Sequence, residues 1–154
     1  MAGYQNMKSK QQKNNGRNKV LVLEVQKGTG YQRSDSLTTR HELSDGVDFD
    51  CIGNRLTSDR LKNNLALQGF FVDKQAGFPK GVRVNGGSLM CQSLDRQGRI
   101  QNTTLANGVN AFIVDELKSQ SVEGQKAFRV RLEMTDGALI QRDFERTFTT
   151  RNLP

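Results

Sequence analysis

Closely spaced turn signals divide the stretch from residue 80 to residue 149 into short segments. Asn85-Gly86 and Asn107-Gly108 are pairs that two-residue hairpin loops prefer, because both loop positions take positive φ. Residues 95–98 have the composition of a four-residue loop, and Asp136-Gly137 opens a further turn. The segments between these marks are rich in Val, Ile, Phe, Leu and Thr, which is typical of strands. The pattern predicts an antiparallel meander whose first strands are residues 82–84, 88–94, 99–105 and 110–117.

The charges of the last two segments favour one register for the final hairpin. A three-residue loop at residues 136–138 places Arg131 opposite Asp143, and further charge pairs form along the same face. Opposite charges across two strands stabilise the pairing by about 0.2–1 kcal/mol each. The apolar residues of 138–149 also fit one face of a helix, but the Thr content and the paired charges favour a strand.

The chain before the meander indicates two strands and a helix. Residues 20–25 (VLVLEV) are apolar apart from one acid, which indicates a strand that is central in its sheet or covered on both faces. Residues 31–43 have sparse apolar positions and indicate an edge strand, which would carry the single histidine, His41, at the surface. Residues 58–68 follow capping residues and precede Gly69, which indicates a short helix. The predicted fold is mainly β, a β-rich α+β arrangement with an antiparallel meander sheet or barrel and one short helix.

Positive charge is concentrated at the N-terminus. The net charge is +7, and residues 1–19 hold five cations and no acid, so the remaining residues carry +2. These 19 residues are also nearly free of apolar side chains and cannot bury enough surface to offset their ordering entropy. The sequence therefore predicts a disordered basic arm, residues 1–19, attached to a single β-rich domain, residues 20–154. The five cations are Lys8, Lys10, Lys13, Arg17 and Lys19.

Nothing in the sequence indicates export or insertion into a membrane. No apolar run approaches the roughly 20 residues of a membrane-spanning helix, and the N-terminus lacks the apolar stretch of a signal peptide. We therefore expect a protein of the cytoplasm or of a virion. In that setting Cys51 and Cys91 are interpreted as reduced thiols packed as small hydrophobic groups, with a disulfide as the alternative.

The sequence lacks the patterns of catalytic and metal-binding sites. One His, two distant Cys and scattered carboxylates provide no nucleophile elbow, no nucleotide loop and no metal-ligand spacing. Asp48 and Asp50 partly match a calcium loop, but Ile52 stands where an oxygen ligand is required. The alternation of these acids with apolar residues instead predicts that both carboxylates face water. We therefore expect a non-enzymatic protein without a cofactor.

Two features of the sequence point to nucleic acid. A basic arm binds phosphate backbones through the release of counterions. On the last segment, Arg142, Phe144 and Arg146 fall on one strand face. Arginine interleaved with phenylalanine is typical of platforms for single strands, where bases stack on rings and arginine meets phosphate. The sequence favours a second interpretation of this face, in which the phenylalanines belong to the core and the arginines extend from its rim into water.

The sequence thus predicts a nucleic-acid-binding protein that contacts its ligand through the five arm cations and through Arg142, Phe144 and Arg146. Single-stranded DNA or RNA is favoured over a duplex. The alternative is a self-assembling structural subunit, such as a viral or phage coat, tube or decoration protein, because exposed sheet edges need covering. Its arm would contact the genome or neighbouring subunits, and we expect a homo-oligomer.

Overall fold

A computed structural model of the chain shows a mainly β protein built from one antiparallel sheet. The structure describes residues 3–9, 19–43, 46–117, 126–136 and 141–150. The strands follow one another across the sheet in chain order, and each is antiparallel to the next. The predicted antiparallel meander is therefore confirmed.

The sheet contains eight strands, and its order begins at β1 and ends at β8. The strands are β1 Gly3–Ser9, β2 Lys19–Gln26, β3 Ser36–His41, β4 Ala66–Asp73, β5 Gly87–Leu94, β6 Ile100–Leu117, β7 Lys126–Thr135 and β8 Gln141–Thr150. Helical structure in the described residues is limited to two 3-10 turns, Tyr31–Arg33 and Ser58–Arg60. Among those residues, no helix has the length and apolar character needed to cross a bilayer.

The predicted helix at residues 58–68 is wrong. Ser58–Arg60 makes a single 3-10 turn, and β4 already begins at Ala66. Between them Asn63 and Asn64 both adopt positive φ, at 53° and 63°. Two successive left-handed residues reverse the chain and cannot continue a right-handed helix. The Asn-Asn pair was the sequence signal for this turn, and the helical spacing of the nearby leucines obscured it.

β1 takes the first part of the predicted arm into the sheet. Gly3–Ser9 pairs with β2, from Gly3 opposite Val25 to Ser9 opposite Lys19. The structure therefore differs from the predicted disorder over these seven residues, and residues 10–18 lie outside the described part. Strand pairing uses backbone hydrogen bonds, so a segment with few apolar side chains can still extend a sheet. With β1 and β4 on its two sides, the β2–β3 pair is internal, and the prediction that residues 31–43 form an edge strand is wrong.

β6 pairs with two different strands along its length. Its first half pairs with β5 and its second half with β7, and both pairings include Val109, which lies opposite Gly87 and Met134. Register shifts on either side of this point mark β-bulges, which bend a strand and increase its twist. Asn107-Gly108 lies within this bend, so the predicted hairpin there is wrong and the strand continues. A glycine at positive φ, here +77° at Gly108, fits a bulge as well as a hairpin loop.

The core lies on one face of the bent sheet, which we call the inner face. Leucines and valines from β2, β3 and β4 pack there against residues of β6 and β7. The second half of β6 therefore lies over the first strands, because its side chains share one core with theirs. The core residues are Leu23, Leu37, Val72, Val109, Phe112, Val114 and Phe128.

Replacing Gly108 with alanine is expected to lower the free energy of unfolding by at least about 2 kcal/mol. A Cβ at this position would lie 2.7 Å from the carbonyl oxygen of Thr135 in β7, in addition to the strain of a positive φ. Urea unfolding followed by circular dichroism measures the loss. Gly77→Ala is the matched control, because Gly77 also has positive φ but nothing within 4 Å of its added Cβ. Equal losses in the two variants would show that the close approach to β7 has no effect.

Candidate functional site

The last hairpin pairs from Thr135 opposite Gln141 to Lys126 opposite Thr150, so residues 136–140 connect its strands. The predicted strand over the last segment is confirmed, but the predicted register is wrong by two residues. Arg131 lies opposite Glu145 instead of Asp143. A shift of two residues preserves the alternation of side chains, so the predicted faces are unchanged. Charge pairing alone did not fix the register, because arginines and acids alternate along both strands.

Arg142, Phe144 and Arg146 lie on the inner face of β8, and we call these three residues the Arg/Phe strip. They face the half-buried apolar side chains of β7, because Arg142 is opposite Met134 and Phe144 is opposite Leu132. All three residues of the strip are exposed, and Phe144 retains 52% of its accessible surface. The prediction that they share one face is confirmed by the register.

The two phenylalanines of β8 have different environments. Phe148 is partly buried against the core and stacks on Phe128, with ring centroids 5.5 Å apart. Phe144 lies four residues earlier on the same face and extends beyond the core. The interpretation of these rings as core residues therefore holds for Phe148 and does not hold for Phe144. Phe144 therefore leaves about half of its surface exposed between two arginines.

β8 separates its charges by face. Asp143 and Glu145 lie on the outer face, opposite Glu133 and Arg131 of β7. Arg129 contacts Glu145 at 3.9 Å and Arg131 contacts Glu133 at 3.5 Å, so both arginines on that face have acidic neighbours. On the inner face, no carboxylate of the described residues lies within ion-pair distance of the strip's two arginines. The strip therefore presents unbalanced positive charge beside apolar surface.

The structure places only two of the five predicted arm cations. Lys8 lies in β1 opposite Val20, and Lys19 begins β2 opposite Ser9. Lys10, Lys13 and Arg17 lie outside the described residues. Lys8 and Lys19 are at one end of the strand order and the Arg/Phe strip is at the other end.

The loop between β4 and β5, residues 74–86, is a second basic surface that the sequence interpretation missed. It carries three exposed cations, Lys74, Lys80 and Arg83, and no acid. Phe78 and Val82 in the same loop are 53% and 50% exposed. The predicted strand at residues 82–84 is wrong, because this segment belongs to the loop. The available signal was the run of cations without acids around an aromatic residue.

Asp35 is a buried acid that accepts hydrogen bonds from two separate parts of the chain. Its side chain is almost fully enclosed, and its carboxylate accepts hydrogen bonds from the backbone of Gly28 at 2.8 Å and of Val114 at 2.9 Å. Lys27 donates to it at 2.6 Å and to Asp115 at 3.1 Å. Burial acts to lower the pKa of Lys27, but the bonds to the two carboxylates outweigh it and the pKa is raised. These hydrogen bonds connect the segment between β2 and β3 to β6.

Cys51 and Cys91 form a disulfide, with their Cα atoms 6.0 Å apart. The interpretation of both residues as reduced thiols is therefore wrong. Cys91 is fully buried in β5, and the segment after β3 folds back across it and brings Cys51 into bonding distance. The two cysteines come together only because the chain between β3 and β4 folds across β5. Their separation of 40 residues in the sequence does not indicate this contact.

The acidic segment around Asp50 is a turn and not the predicted alternating strand. Asp50 is buried, and its carboxylate accepts hydrogen bonds from the backbone of Ile52 at 3.1 Å and of Asn54 at 2.7 Å. Val47 and Phe49 are instead exposed, at 56% each. The predicted orientation is therefore wrong, because an aspartate that caps a tight turn gains more from the backbone donors than from water.

His41 ends β3 and is partly buried, so the prediction of a surface histidine is only partly correct. Burial is the larger influence and lowers its pKa, although the nearby charge of Asp48 opposes the shift. A histidine with a lowered pKa is neutral at pH 7. Within the described residues, no group of three His, Cys, Asp or Glu side chains is placed to hold a metal ion.

Comparison of the chain with protein-family models, with curated proteins and with solved structures finds no match. Function is therefore argued from the two exposed basic surfaces, the Arg/Phe strip and the loop at residues 74–86.

Proposed function

We propose that the protein binds single-stranded nucleic acid through the Arg/Phe strip. The observation that carries this proposal is the exposed ring of Phe144 between Arg142 and Arg146, with no carboxylate of the described residues within ion-pair distance of either arginine. Residues two apart on a strand are separated by roughly 7 Å, so a cation stands on each side of the ring. A base stacked on such a ring contributes about 1–3 kcal/mol, and the arginines then meet the neighbouring phosphates.

The geometry favours a single strand over a duplex. The ring of Phe144 lies on an open sheet surface, and it can meet the face of a base only where that base is unstacked from its neighbours. Sequence-independent stacking also requires no catalytic groups, in keeping with a non-enzymatic role. In this proposal the cations at Lys8, Lys10, Lys13, Arg17 and Lys19 add affinity through counterion release.

The double variant Arg142→Ala/Arg146→Ala is expected to bind a single-stranded oligonucleotide about tenfold or more weakly than the unmodified protein. Loss of two phosphate contacts should also reduce the slope of log K against log salt by about 1.4, since each contact to a single strand contributes about 0.7. Fluorescence anisotropy at several salt concentrations from about 50 to 200 mM measures both quantities.

The matched control is Arg129→Ala/Arg131→Ala, which removes the same charge from the outer face of the same hairpin. We expect its affinity to stay within about twofold of the unmodified protein, because outer-face arginines already have acidic neighbours. Equal weakening in the two double variants would mean that net charge alone drives binding and would overturn the role of the strip. A complete lack of binding by the unmodified protein at low salt would overturn the proposal itself.

Assembly is the second candidate function, and the exposure of β8 favours it. Residues 141–147 are exposed, and β8 ends the strand order, so its outer backbone edge has no strand partner among the described residues. Such an edge is a template for pairing with another chain. Sedimentation of the protein at micromolar concentration, with and without oligonucleotide, separates a nucleic-acid-binding monomer from a self-assembling subunit.

A further inference from the structure

A cavity of about 410 Å³ lies between the loop at residues 74–86 and the 3-10 turn that begins at Tyr31. Two aromatic residues, Tyr31 and Phe78, and two lysines, Lys74 and Lys80, are among the residues that line it. The volume falls within the range of about 300–1,000 Å³ that small-molecule sites occupy. The cavity is thus large enough for a ligand with a planar apolar part.

Hydrogen bonds hold the loop in the shape that forms the cavity. The side-chain amide of Gln75 donates to the carbonyl oxygens of Asn85 at 2.9 Å and Gly86 at 3.2 Å, which ties the start of the loop to its end. Within the loop, the backbone of Val82 donates to Pro79 at 3.3 Å. A loop with its ends joined in this way is compact and preorganised, which reduces the entropy lost when a ligand binds.

The charges around the cavity select an anion. None of the residues that line it is acidic, and the loop carries three cations. A purely apolar ligand would leave the ammonium groups of Lys74 and Lys80 without partners, while a simple anion would make no use of the two rings. A nucleotide combines a planar base with a phosphate and matches both parts of the lining.

The loop that lines the cavity and the Arg/Phe strip both lie near one end of the last hairpin, where β7 ends and β8 begins. The side-chain amide of Asn85 donates to the carbonyl oxygen of Asp136 at 3.4 Å, so the loop contacts the turn that follows β7. Thr135, next to Asp136, pairs with Gln141 at the start of β8, and Arg142 is the next residue. One strand of nucleic acid that crosses the start of β8 therefore comes close to the loop.

We propose that this cavity holds one nucleotide of the bound strand, with its base against Tyr31 and Phe78 and its phosphate near Lys74 and Lys80. The inference rests on the proposed function, since it assigns a second contact for the same ligand. It also explains why an exposed aromatic residue lies among cations in a loop that the core does not require.

Photo-cross-linking of the full-length protein tests the assignment. A single-stranded oligonucleotide carrying one 5-iodouracil is bound, irradiated and digested, and the cross-linked peptides are identified by mass spectrometry. We expect adducts at Tyr31 or Phe78 as well as at Phe144. Adducts at Phe144 alone would overturn the cavity assignment and leave the proposed function intact, whereas an absence of oligonucleotide binding at low salt would overturn both.

Two single variants give an independent measurement on the same loop. Lys80 lines the cavity and Arg83 does not, so Lys80→Gln and Arg83→Gln remove one charge each from different sides of the loop. Both side chains are exposed, so neither change threatens folding. We expect Lys80→Gln to weaken oligonucleotide binding about three- to tenfold and Arg83→Gln less than twofold. Equal effects would indicate diffuse attraction to the loop and would overturn the cavity as a site.

Discussion

Replacing Asp35 with alanine is expected to lower the free energy of unfolding by about 3–5 kcal/mol. The change leaves the backbone N–H groups of Gly28 and Val114 without their acceptor and removes the closest partner of Lys27. Each unsatisfied buried group costs about 1–3 kcal/mol. Urea unfolding of the purified protein, monitored by circular dichroism and by tyrosine fluorescence, measures the loss.

Asp115→Ala is the matched control for Asp35→Ala. Asp115 also contacts Lys27, at 3.1 Å, but its side chain is 44% exposed. An exposed ion pair contributes about 0–1 kcal/mol, so this variant should remain close to the unmodified protein. An equal loss of stability in the two variants would mean that the ion pairs with Lys27 provide most of the stabilisation. The two backbone hydrogen bonds to Asp35 would then contribute little to the free energy of unfolding.

Loss of the disulfide between Cys51 and Cys91 is expected to lower the free energy of unfolding by about 4 kcal/mol. The bond closes a long loop, with 40 residues of sequence separation, and its removal restores conformational freedom to the unfolded chain. In urea the midpoint should fall by about 2 M when the protein is reduced. The measurement compares unfolding with and without a phosphine reductant.

The double variant Cys51→Ser/Cys91→Ser controls for effects of the reductant. Its stability should match that of the reduced protein, and the reductant should not change it further. Cys91 is fully buried, so a serine hydroxyl at this position lowers the free energy of unfolding by a small further amount. Comparison with the single variant Cys51→Ser, which keeps Cys91, measures that amount. A reduced protein as stable as the oxidised one would show that the packing around β5 holds the loop without the covalent bond.

Local turn chemistry made the loop between β5 and β6 predictable. At residues 95–99 the backbone of Asp95 bonds with Arg99 at 2.8 Å and that of Gly98 bonds with Asp95 at 3.0 Å, which forms the predicted loop. The Asp95 carboxylate accepts further bonds from backbone groups of the same loop, and these bonds lower its pKa. Such a turn is determined by the residues within it, so the sequence is sufficient to predict it.

Features that depend on distant neighbours were not predictable in the same way. Asn107-Gly108 has the composition of a hairpin, but β5 and β7 on either side keep β6 continuous through it. Likewise, Leu61 and Leu65 have helical spacing, while the turn at Asn63-Asn64 and the pairing of β4 with β3 determine the structure. In both cases tertiary contacts outweigh a weak local preference.

The sequence was sufficient to predict that the three residues of the Arg/Phe strip share one face of a strand. It was not sufficient to predict which side chains on that face are exposed. The period of two along a strand places Arg142, Phe144 and Arg146 together whatever the register, since a slip of two residues preserves the faces. Which phenylalanine joins the core depends on how far the sheet bends, and that separates Phe144 from Phe148. The loop at residues 74–86 escaped notice because its cavity forms only when Tyr31, more than forty residues earlier, is brought against it.

Because β6 is continuous and shares one core with β2, β3, β4 and β7, we expect the described strands to fold as one unit. A fragment that ends before Val109 would keep the pairing of β5 with β6 but would lose Phe112, Val114 and Phe128 from the core beneath β2 and β3. A fragment that begins there would keep the last hairpin without the strands that cover it. We therefore expect the two halves to gain and lose their structure together, and a ligand that bound at β8 would stabilise β2 as well.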